Sequence, residues 1–433
     1  MTQADLQPDL VWERLHPLTP LLRGGKFFLA MAAIVGQQSF RQDVRPPAYV
    51  SGLTALLVTG LAVLAGYVSW RRTGYRLTDS ELQVDSGVLT RRSRRVPLAR
   101  LQAVEVVRPV IGRVLGLAEL RLEVVGSGSA EAPLAYLSDS DAHELRARML
   151  ARSQGTSREA PVATGDERVL VVVPPGTLVT SLLLAGSTVF LGVVLVAFLI
   201  TAAISADVAK AAAVGVISVV LPFGSALVKR FLTEYGFTVA ETEGGLRLTR
   251  GLLDTRASSI PDGRVQGVRI IEPWLWRRRD WVRVEVDVAG YAAGQGDQTT
   301  STALLPVAPR ALGTALAARV LGSALPPAIA RVPDRARWRA PFSHRRLAVG
   351  LDARHLVTTS GVVATTTDVV PLAKIQSIRL TAGPWQRRLR LASVHADSAG
   401  RRLKVGSARH RDEDQAALLV EELSGLARAA RRA

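Results

Sequence analysis

Cysteine is absent from the 433-residue sequence, and this absence excludes disulfide bonds, thiolate metal sites and cysteine nucleophiles. Only six histidines are present, and none forms a pair with the spacing of metal ligands. No glycine-rich segment ends in the Lys-Ser/Thr pair of a phosphate-binding loop. We therefore expect no catalytic residue, no metal, no cofactor and no small-molecule substrate, so the chain is predicted not to be an enzyme.

Acidic residues are too few to balance the basic ones. The chain has 37 Asp and Glu residues against 55 Lys and Arg residues, which gives a net charge of +18 at pH 7. Such an excess indicates an anionic partner, either nucleic acid or the anionic face of a membrane. The mean hydropathy is nevertheless positive at +0.19, so the apolar residues must be concentrated in part of the chain.

Three long runs without charge are rich in apolar residues. Residues 48–70 lack charge and are followed by two arginines, and residues 169–206 and 211–228 lack charge as well. Because about 20 apolar residues cross a bilayer, we predict spans at 48–70, near 178–203 and near 208–228. A buried helix of a soluble protein rarely has so long a stretch without a polar face.

A fourth, marginal span is predicted over residues 20–40. Its apolar run follows Arg23 and Lys26, whose long side chains reach the interface from within such a span. It pairs with residues 48–70 as a first membrane hairpin, and the two later runs form a second. Apart from these two basic residues the spans contain almost no ionisable group, whereas a transporter or proton channel normally has one deep inside. Transport is therefore disfavoured.

The loops between the predicted spans indicate the orientation. Arg71, Arg72, Lys229 and Arg230 flank the spans on one side, whereas the short loops on the other side are nearly neutral. The positive-inside rule then puts the basic side, with both termini, in the cytoplasm. We expect a multi-pass protein of the bacterial inner (plasma) membrane.

One pattern occurs three times outside the spans. Each copy has a glycine, a proline ten residues later and a glutamine five residues after the proline: Gly87, Pro97 and Gln102; Gly251, Pro261 and Gln266; Gly361, Pro371 and Gln376. An alternating run follows each copy and is typical of a half-buried strand. Three copies of one β-rich module are therefore predicted, with the glycine at a bend that leaves no room for a side chain.

The repeat and the spans divide the chain into seven segments. They are a tail with the first membrane hairpin (1–72), the first module (73–152), a linker (153–168), the second hairpin (169–230), the second module (231–322), a linker (323–340) and the third module (341–433). A helix is predicted to close each module. The last one begins near Asp412 with acids and ends in arginines, as a helix dipole favours.

The stretch YRLTDSELQVDSGVLTRRSRRVPLARLQAVEVVRPVIGRVLGLAELRLEV of the first module resembles the repeated unit of bacterial membrane proteins with pleckstrin-homology-like domains, the YdbT type. The layout of two membrane hairpins and three modules is similar as well. The resemblance implies that each module is a seven-stranded, partly open antiparallel β-barrel closed at one end by a C-terminal helix. The fold class is then mixed, membrane α plus soluble β. The resemblance implies no chemistry for any residue.

A basic run in the first module is the candidate lipid-binding site: Arg91, Arg92, Arg94 and Arg95. We expect it at a hairpin tip close to the membrane, where each arginine on an anionic leaflet contributes ~1 kcal/mol. The run equally fits a solvated cluster of charges that fixes the topology. The corresponding stretches of the other two modules are not basic.

Aromatic and basic residues are interleaved in the other two modules and form the candidate interface: Trp274, Trp276, Arg277, Arg278, Trp385, Arg387 and Arg388. Such a mixture suits base stacking on nucleic acid, an interfacial membrane belt or a protein-binding surface. One or two of the tryptophans fit a core position equally well. Adjacency to a membrane hairpin favours the membrane or a protein over nucleic acid.

Two functions follow from these features. The first is a non-enzymatic scaffold or envelope-stress component, whose partners are the lipid bilayer and a membrane protein or a second copy of the chain. The alternative is a sensor of anionic lipid headgroups that uses the basic first module. Neither function involves nucleic acid as a partner.

Overall fold

The computed structural model describes residues 12–19, 48–86, 92–98, 101–124, 131–153, 168–204, 206–242, 245–288, 303–399 and 406–432. The chain forms two compact units, Met1–Thr164 and Gly165–Ala433. The boundary between them lies inside the linker predicted at 153–168. The marginal span predicted at 20–40 and the first repeated glycine, Gly87, lie outside the described residues.

In its described residues, the first unit contains one module and one long apolar helix. Its strands are β1 (Glu13–Arg14), β2 (Gly74–Leu77), β3 (Glu81–Ser86), β4 (Arg92–Pro97), β5 (Leu101–Arg108), β6 (Leu117–Val124) and β7 (Glu131–Ser138). Its helices are α1 (Ala48–Arg71), α2 (Val110–Val114) and α3 (Asp139–Ser153). Strands β1 to β4 form one antiparallel sheet, and β6 pairs with β5 and β7. Both sets of strands and α3 contribute to one core, which includes Leu82, Leu120 and Leu145.

The second unit begins with a module that contains the later apolar helices. Its strands are β8 (Arg168–Val172), β9 (Thr238–Thr242), β10 (Gly245–Arg250), β11 (Thr255–Pro261), β12 (Val265–Pro273), β13 (Trp281–Val288) and β14 (Ala303–Pro309). Its helices are α4 (Pro175–Leu183), α5 (Gly186–Ile204), α6 (Ala206–Glu234) and α7 (Arg310–Leu321). Strands β8 to β11 pair in sequence order, and β13 pairs with β12 and β14.

The third module completes the second unit. Its strands are β15 (Ala330–Arg331), β16 (Ala348–Leu351), β17 (His355–Ser360), β18 (Ala364–Pro371), β19 (Ile375–Thr381), β20 (Leu391–Ser398) and β21 (Ser407–Asp412). Its helices are α8 (Pro384–Arg388) and α9 (Glu413–Ala430). Asp412 caps α9 through its carboxylate. The face of α9 with Ala416, Leu419, Leu423 and Ala427 is buried, because these positions lie on one side of a helix.

In the part of the chain that the structure describes, every module therefore has four strands in one set, three in a second, and a closing helix. The predicted antiparallel β-fold is confirmed, but the predicted barrel closure is not found among the described residues. In the second unit, β12 pairs along its outer edge with β18, so that strands of two modules form one seven-stranded sheet. A strand whose outer edge is occupied by the neighbouring module cannot also close its own barrel.

The first strand of a module precedes the membrane segment. β1 pairs with β2 although α1 lies between them in sequence, and β8 pairs with β9 although α4 to α6 intervene. The module boundaries predicted at residues 73 and 231 are therefore wrong, because the tail and residues 168–172 already contribute strands. In the third module, residues 332–347 connect β15 to β16 in place of membrane helices.

Two described helical segments are long and apolar enough to cross a membrane, Gly186–Ala203 and Gly215–Glu234. They contact each other through the rings of Phe190 and Phe223, whose centroids are 5.6 Å apart. Most of their large apolar side chains are exposed, as expected of surfaces that face lipid. The predicted span near 178–203 begins too early, because Leu178 of α4 is buried in the core of the module.

Candidate functional site

The repeated glycine lies in the turn between the third and fourth strands of a module. Gly251 has a φ of +110° and Gly361 a φ of +124°, a conformation that L side chains rarely adopt. A Cβ on Gly361 would lie 1.7 Å from the carbonyl oxygen of Ala364, and one on Gly251 would lie 2.1 Å from that of Asp254. The backbone at both turns therefore requires glycine.

The repeated glutamine lies at a β-bulge in all three modules. The pairing registers of β5 with β6, β12 with β13 and β19 with β20 each skip one residue: Gln102, Gln266 and Gln376. A bulge inserts an extra residue and increases the local twist. Because the repeated prolines end the strands just before, at Pro97, Pro261 and Pro371, the motif marks the passage from the first sheet of a module to the second.

A second repeated feature, a backbone hydrogen bond to the closing helix, is not visible in the sequence. A residue with left-handed backbone precedes the sixth strand of each module: Gly116, Asp280 and Arg390. Its carbonyl oxygen accepts a hydrogen bond from the first backbone N–H of the closing helix, at 2.9, 2.7 and 3.1 Å respectively. The contact is made by the backbone and the three side chains differ, so residue identities give no signal for it.

The basic run of the first module lies along a strand. Arg92, Arg94 and Arg95 belong to β4, which is the last strand of its four-stranded sheet. The side chains of Arg94 and Arg95 are exposed, and Arg91 lies outside the described residues. The hairpin tip predicted for this run is therefore wrong for its described part. Arg94, Arg95 and Val96 pair with Val84, Gln83 and Leu82 of β3 and so belong to the antiparallel ladder.

Trp276 does not belong to an interface. Its side chain is 1% exposed, its indole N–H donates to the Ser181 carbonyl oxygen at 3.1 Å, and its ring packs edge-on against Trp281. The prediction of an interface role for Trp276 is therefore wrong, because the short helix Trp276–Arg279 turns this side chain into the core. Trp274 is 48% exposed.

The arginines near these tryptophans have different surroundings. Arg277 donates to the hydroxyl of Thr365 and lies 3.9 Å from Glu272, so it links the second module to the third. Arg278 is exposed. In the third module Trp385, Arg387 and Arg388 lie together on α8, and all three side chains are exposed. The predicted interface residues thus separate into a core tryptophan, an internal arginine and exposed groups.

A buried charge network joins α6 to the sheet of the second module. Glu234 is 1% exposed and accepts hydrogen bonds from Arg283 at 2.7 Å and Arg230 at 3.2 Å. Arg283 also donates to Glu285 at 2.8 Å. Burial lowers the pKa of Arg283, but Glu234 and Glu285 offset this effect, and the pKa lies above its usual range. Buried charges persist only when they are paired, so the network fixes the end of the helix on strand β13.

A cavity of about 550 Å³ lies beside this network. Its walls come from the α4–α5 junction, the end of α6 and strands β12 and β13, with Phe223, Leu227 and Pro273 on the apolar side and Lys229 and Arg230 on the polar side. The cavity therefore lies where the apolar helix α6 meets the second module.

An ion pair that sequence reasoning missed connects the second and third modules. Nε and Nη2 of Arg269 on β12 donate to the two carboxylate oxygens of Asp368 on β18 at 2.6 and 3.0 Å. Burial raises the pKa of the Asp368 carboxyl, while Arg269 acts in the opposite direction. The two residues are not at matching positions of the repeat, so the sequence gives no signal that they meet.

Strand β19 is the third module's counterpart of β12. It pairs with β20 on one side, and on the other side no described strand pairs with it. Arg379 stands three residues after the repeated glutamine, as Arg269 does, and binds Asp397 through two hydrogen bonds of 2.6 and 2.8 Å. Leu380 beside it is 49% exposed. In the second module β18 covers the outer edge of β12. No described strand covers the corresponding edge of β19 in the third module.

Comparison with known proteins agrees with this architecture. The model of the bacterial PH domain matches the chain at residues 27–153, 179–324 and 302–427. A transmembrane protein of Bacillus subtilis named YdbT is 22% identical over 273 residues, which cover 57% of this chain and 55% of that protein. The chain thus spans about half the length of this relative, and no solved structure matches. Because the domain model matches most of the chain, this membrane protein belongs to the bacterial PH domain family and contains the domain three times.

Proposed function

We propose that the protein is a non-enzymatic scaffold of the bacterial inner membrane, in the manner of an envelope-stress component. It has two membrane hairpins, with the three modules and both termini in the cytoplasm. The observation that supports this proposal best is the uncovered edge of β19. An exposed strand edge presents a row of backbone donors and acceptors and accepts an extended segment of another protein as an additional strand.

The pairing of β12 with β18 is an internal example of the same contact. There the backbone ladder runs from Val268 opposite Val369 to Pro273 opposite Ala364, and the Arg269–Asp368 ion pair fixes the register. In the third module, Arg379 occupies the place of Arg269. A partner strand with an acidic residue opposite Arg379 reproduces the internal contact, because opposite charges across strands stabilise a pair.

The attachment of the second and third modules to the helix α6 also favours a scaffold. The Glu234–Arg283 ion pair holds α6 on the second module, and the continuous sheet holds the second module on the third. A partner on β19 is then kept at a fixed place relative to the bilayer. Rigid attachment of this kind suits a platform that presents binding surfaces.

Capture of the intact chain in mild detergent tests the scaffold. We expect a membrane protein to co-purify in fixed stoichiometry and to be lost from a Leu380→Arg variant, since a charge on the strand edge opposes pairing. The matched control is Leu418→Arg on α9, where the leucine is 64% exposed. Retention of the partner by Leu380→Arg, or loss in both variants, contradicts the proposed use of β19.

The absence of cysteine allows a direct test of orientation. A single cysteine introduced by Gln42→Cys should react in whole cells with a reagent that does not cross membranes, since the first short loop is proposed to face outward. Ser127→Cys and Ser398→Cys, in the first and third modules, should react only after the cells are opened. Labelling of Ser398→Cys in intact cells would refute a cytoplasmic third module.

A second candidate function is recognition of anionic lipid by the first module. Exposure of Arg94 and Arg95 on β4 favours it, because exposed arginines near an anionic leaflet each contribute ~1 kcal/mol. The position of β4 gives these charges another use, because charge on an edge strand prevents unwanted pairing. Strand β18 has Asp368 at the place of Arg94, three residues before the repeated proline, and it is paired on both edges.

Replacement of all four arginines of the basic run by glutamine separates the two uses. If the run binds lipid, the intact protein in uncharged nanodiscs should lose ~2–4 kcal/mol of affinity for anionic vesicles, and the unmodified protein should bind less as salt rises. If the run only protects the edge, vesicle binding should not change and the variant should self-associate. Vesicle flotation and light scattering report the two outcomes.

A further inference from the structure

The third module has an unusual segment at the place where the first two modules have their membrane helices. Residues 332–347 connect the first strand of the module, β15, to the second, β16. Two short 3-10 helices occupy it, Asp334–Trp338 and His344–Arg346. Each of the other two modules has at least one long apolar helix between the same two strands. The third module therefore lacks a membrane anchor of its own.

This segment lies at the end of the sheet that faces the membrane helices. Pro273, at the end of β12, lines the same cavity as the end of α6, and it is paired with Ala364 at the start of β18. The turn that precedes β18 continues this contact, since the Trp274 backbone N–H donates to the Val363 carbonyl oxygen at 3.0 Å. The guanidinium of Arg346 donates to the carbonyl oxygen of Val362. A continuous series of contacts thus connects residues 332–347 to α6.

Large apolar side chains are exposed at this end of the third module. Phe342 is 82% exposed, Trp338 71%, Trp385 61%, Val363 59% and Val362 49%. We call these five residues the apolar rim. The 3-10 helix that contains Trp338 contacts the end of α8, the helix that contains Trp385, because Arg335 donates to the carbonyl oxygens of Leu389 and Arg390 just after α8. Exposed apolar surface of this kind marks an interaction site.

The charge around the rim is strongly positive. Residues 331–346 contain six arginines and one aspartate, and Arg337 lies over the ring of Trp338, 5.5 Å from its centroid. Arg387 and Arg388 add two exposed charges on α8. Tryptophan and phenylalanine with adjacent arginines are the residues that settle at the interface of an anionic bilayer. A water-soluble partner offers no comparable reason to expose both aromatic rings beside the membrane helices.

We propose that the apolar rim is a membrane-contact site, through which the third module lies on the anionic surface of the same bilayer that α5 and α6 cross. The rim inserts its aromatic and valine side chains at the level of the headgroups, and the surrounding arginines bind lipid phosphates. The contact replaces the transmembrane anchors of the other two modules. It does not depend on the scaffold role or on the basic run of the first module.

Depth-dependent quenching on the intact protein tests this site. Single cysteines are introduced by Phe342→Cys or Val363→Cys and labelled with nitrobenzoxadiazole, and the protein is reconstituted at one copy per nanodisc with nitroxide-labelled lipid. The matched control is Ala353→Cys, an exposed position in the turn at the opposite end of β17. We expect at least threefold stronger quenching at 342 and 363 than at 353, and more of it when the nanodisc contains anionic lipid.

A second variant separates lipid contact from simple proximity. Trp338→Ser should reduce quenching at 363 at least twofold while circular dichroism and the melting temperature stay unchanged, because Trp338 is mostly exposed. Equal, weak quenching at 342, 363 and 353 in anionic nanodiscs would overturn the proposal. A signal that appears only when several copies share a membrane would overturn it too, since the rim would then bind a second copy. Either result leaves the capture and orientation experiments unaffected.

Discussion

Removal of the Asp368 charge should weaken the junction between the second and third modules. In the native pair the Asp368 side chain is 9% exposed and the Arg269 side chain 23%, and both carboxylate oxygens accept hydrogen bonds. Breaking a fully buried pair costs about 3–5 kcal/mol and breaking an exposed one about 0–1 kcal/mol. Since the aspartate is nearly buried and the arginine partly solvated, we expect about 2–3 kcal/mol for Asp368→Asn.

Hydrogen exchange on the intact protein measures this change locally. A loss of 2–3 kcal/mol in opening free energy corresponds to about 30- to 150-fold faster exchange. The acceleration should be confined to peptides from β12 and β18, and peptides from β20 serve as the internal control. The double variant Arg269→Met/Asp368→Leu should recover most of the protection, because apolar replacement of a whole ion pair is often neutral. The explanation fails if Asp368→Asn exchanges within threefold of the native rate, or if the double variant exchanges as fast as the single one.

Three further changes test other parts of the fold. Gly361→Val should destabilise the third module by more than about 1–3 kcal/mol, because φ is positive and the new Cβ meets the Ala364 carbonyl; faster exchange in β17 and β18 reports it. Glu234→Gln should cost about 1–3 kcal/mol, since Arg283 and Arg230 lose a carboxylate partner while Arg283 keeps Glu285, and the melting temperature in detergent should fall. Burial lowers the pKa of His355, so the unfolded chain binds a proton more readily, and stability is lost as pH falls below the unfolded value of about 6.5. Exchange of the third module, corrected for intrinsic rates, should therefore be faster at pH 5 than at pH 7.5, and less so in His355→Asn.

Local patterns in the sequence predicted the parts of the fold that depend on neighbouring residues. The uncharged runs locate the helix α1 and the apolar segments Gly186–Ala203 and Gly215–Glu234, because a run of about 20 apolar residues is visible in the sequence alone. The spacing of Gly361, Pro371 and Gln376 locates a turn, a strand end and a bulge, which are all short-range features. The same spacing at the other two copies predicts three modules, and the domain matches confirm them.

Contacts between distant segments were not predictable in this way. The pairing of β12 with β18 depends on which edge is open when two modules meet, and nothing in the residues of either strand states its partner. The basic run shows the same limit. An arginine such as Arg94 can protect an edge strand from unwanted pairing, whereas at a hairpin tip it would be placed to bind lipid, and the sequence alone does not distinguish the two positions. Trp276 shows a further limit, since one turn of helix decides whether its side chain faces the core or the solvent.

The position of the membrane helices between the first and second strands has a consequence for biogenesis. During synthesis β8 leaves the ribosome before α5 and α6, but its partner β9 follows only after both helices. In the proposed two-hairpin arrangement, the second module completes its sheet only after the two helices have entered the bilayer and returned the chain to the side of β8. A helix that fails to insert leaves an unpaired strand, which is prone to aggregation. In that proposed arrangement, completion of the sheet couples folding of the module to membrane integration.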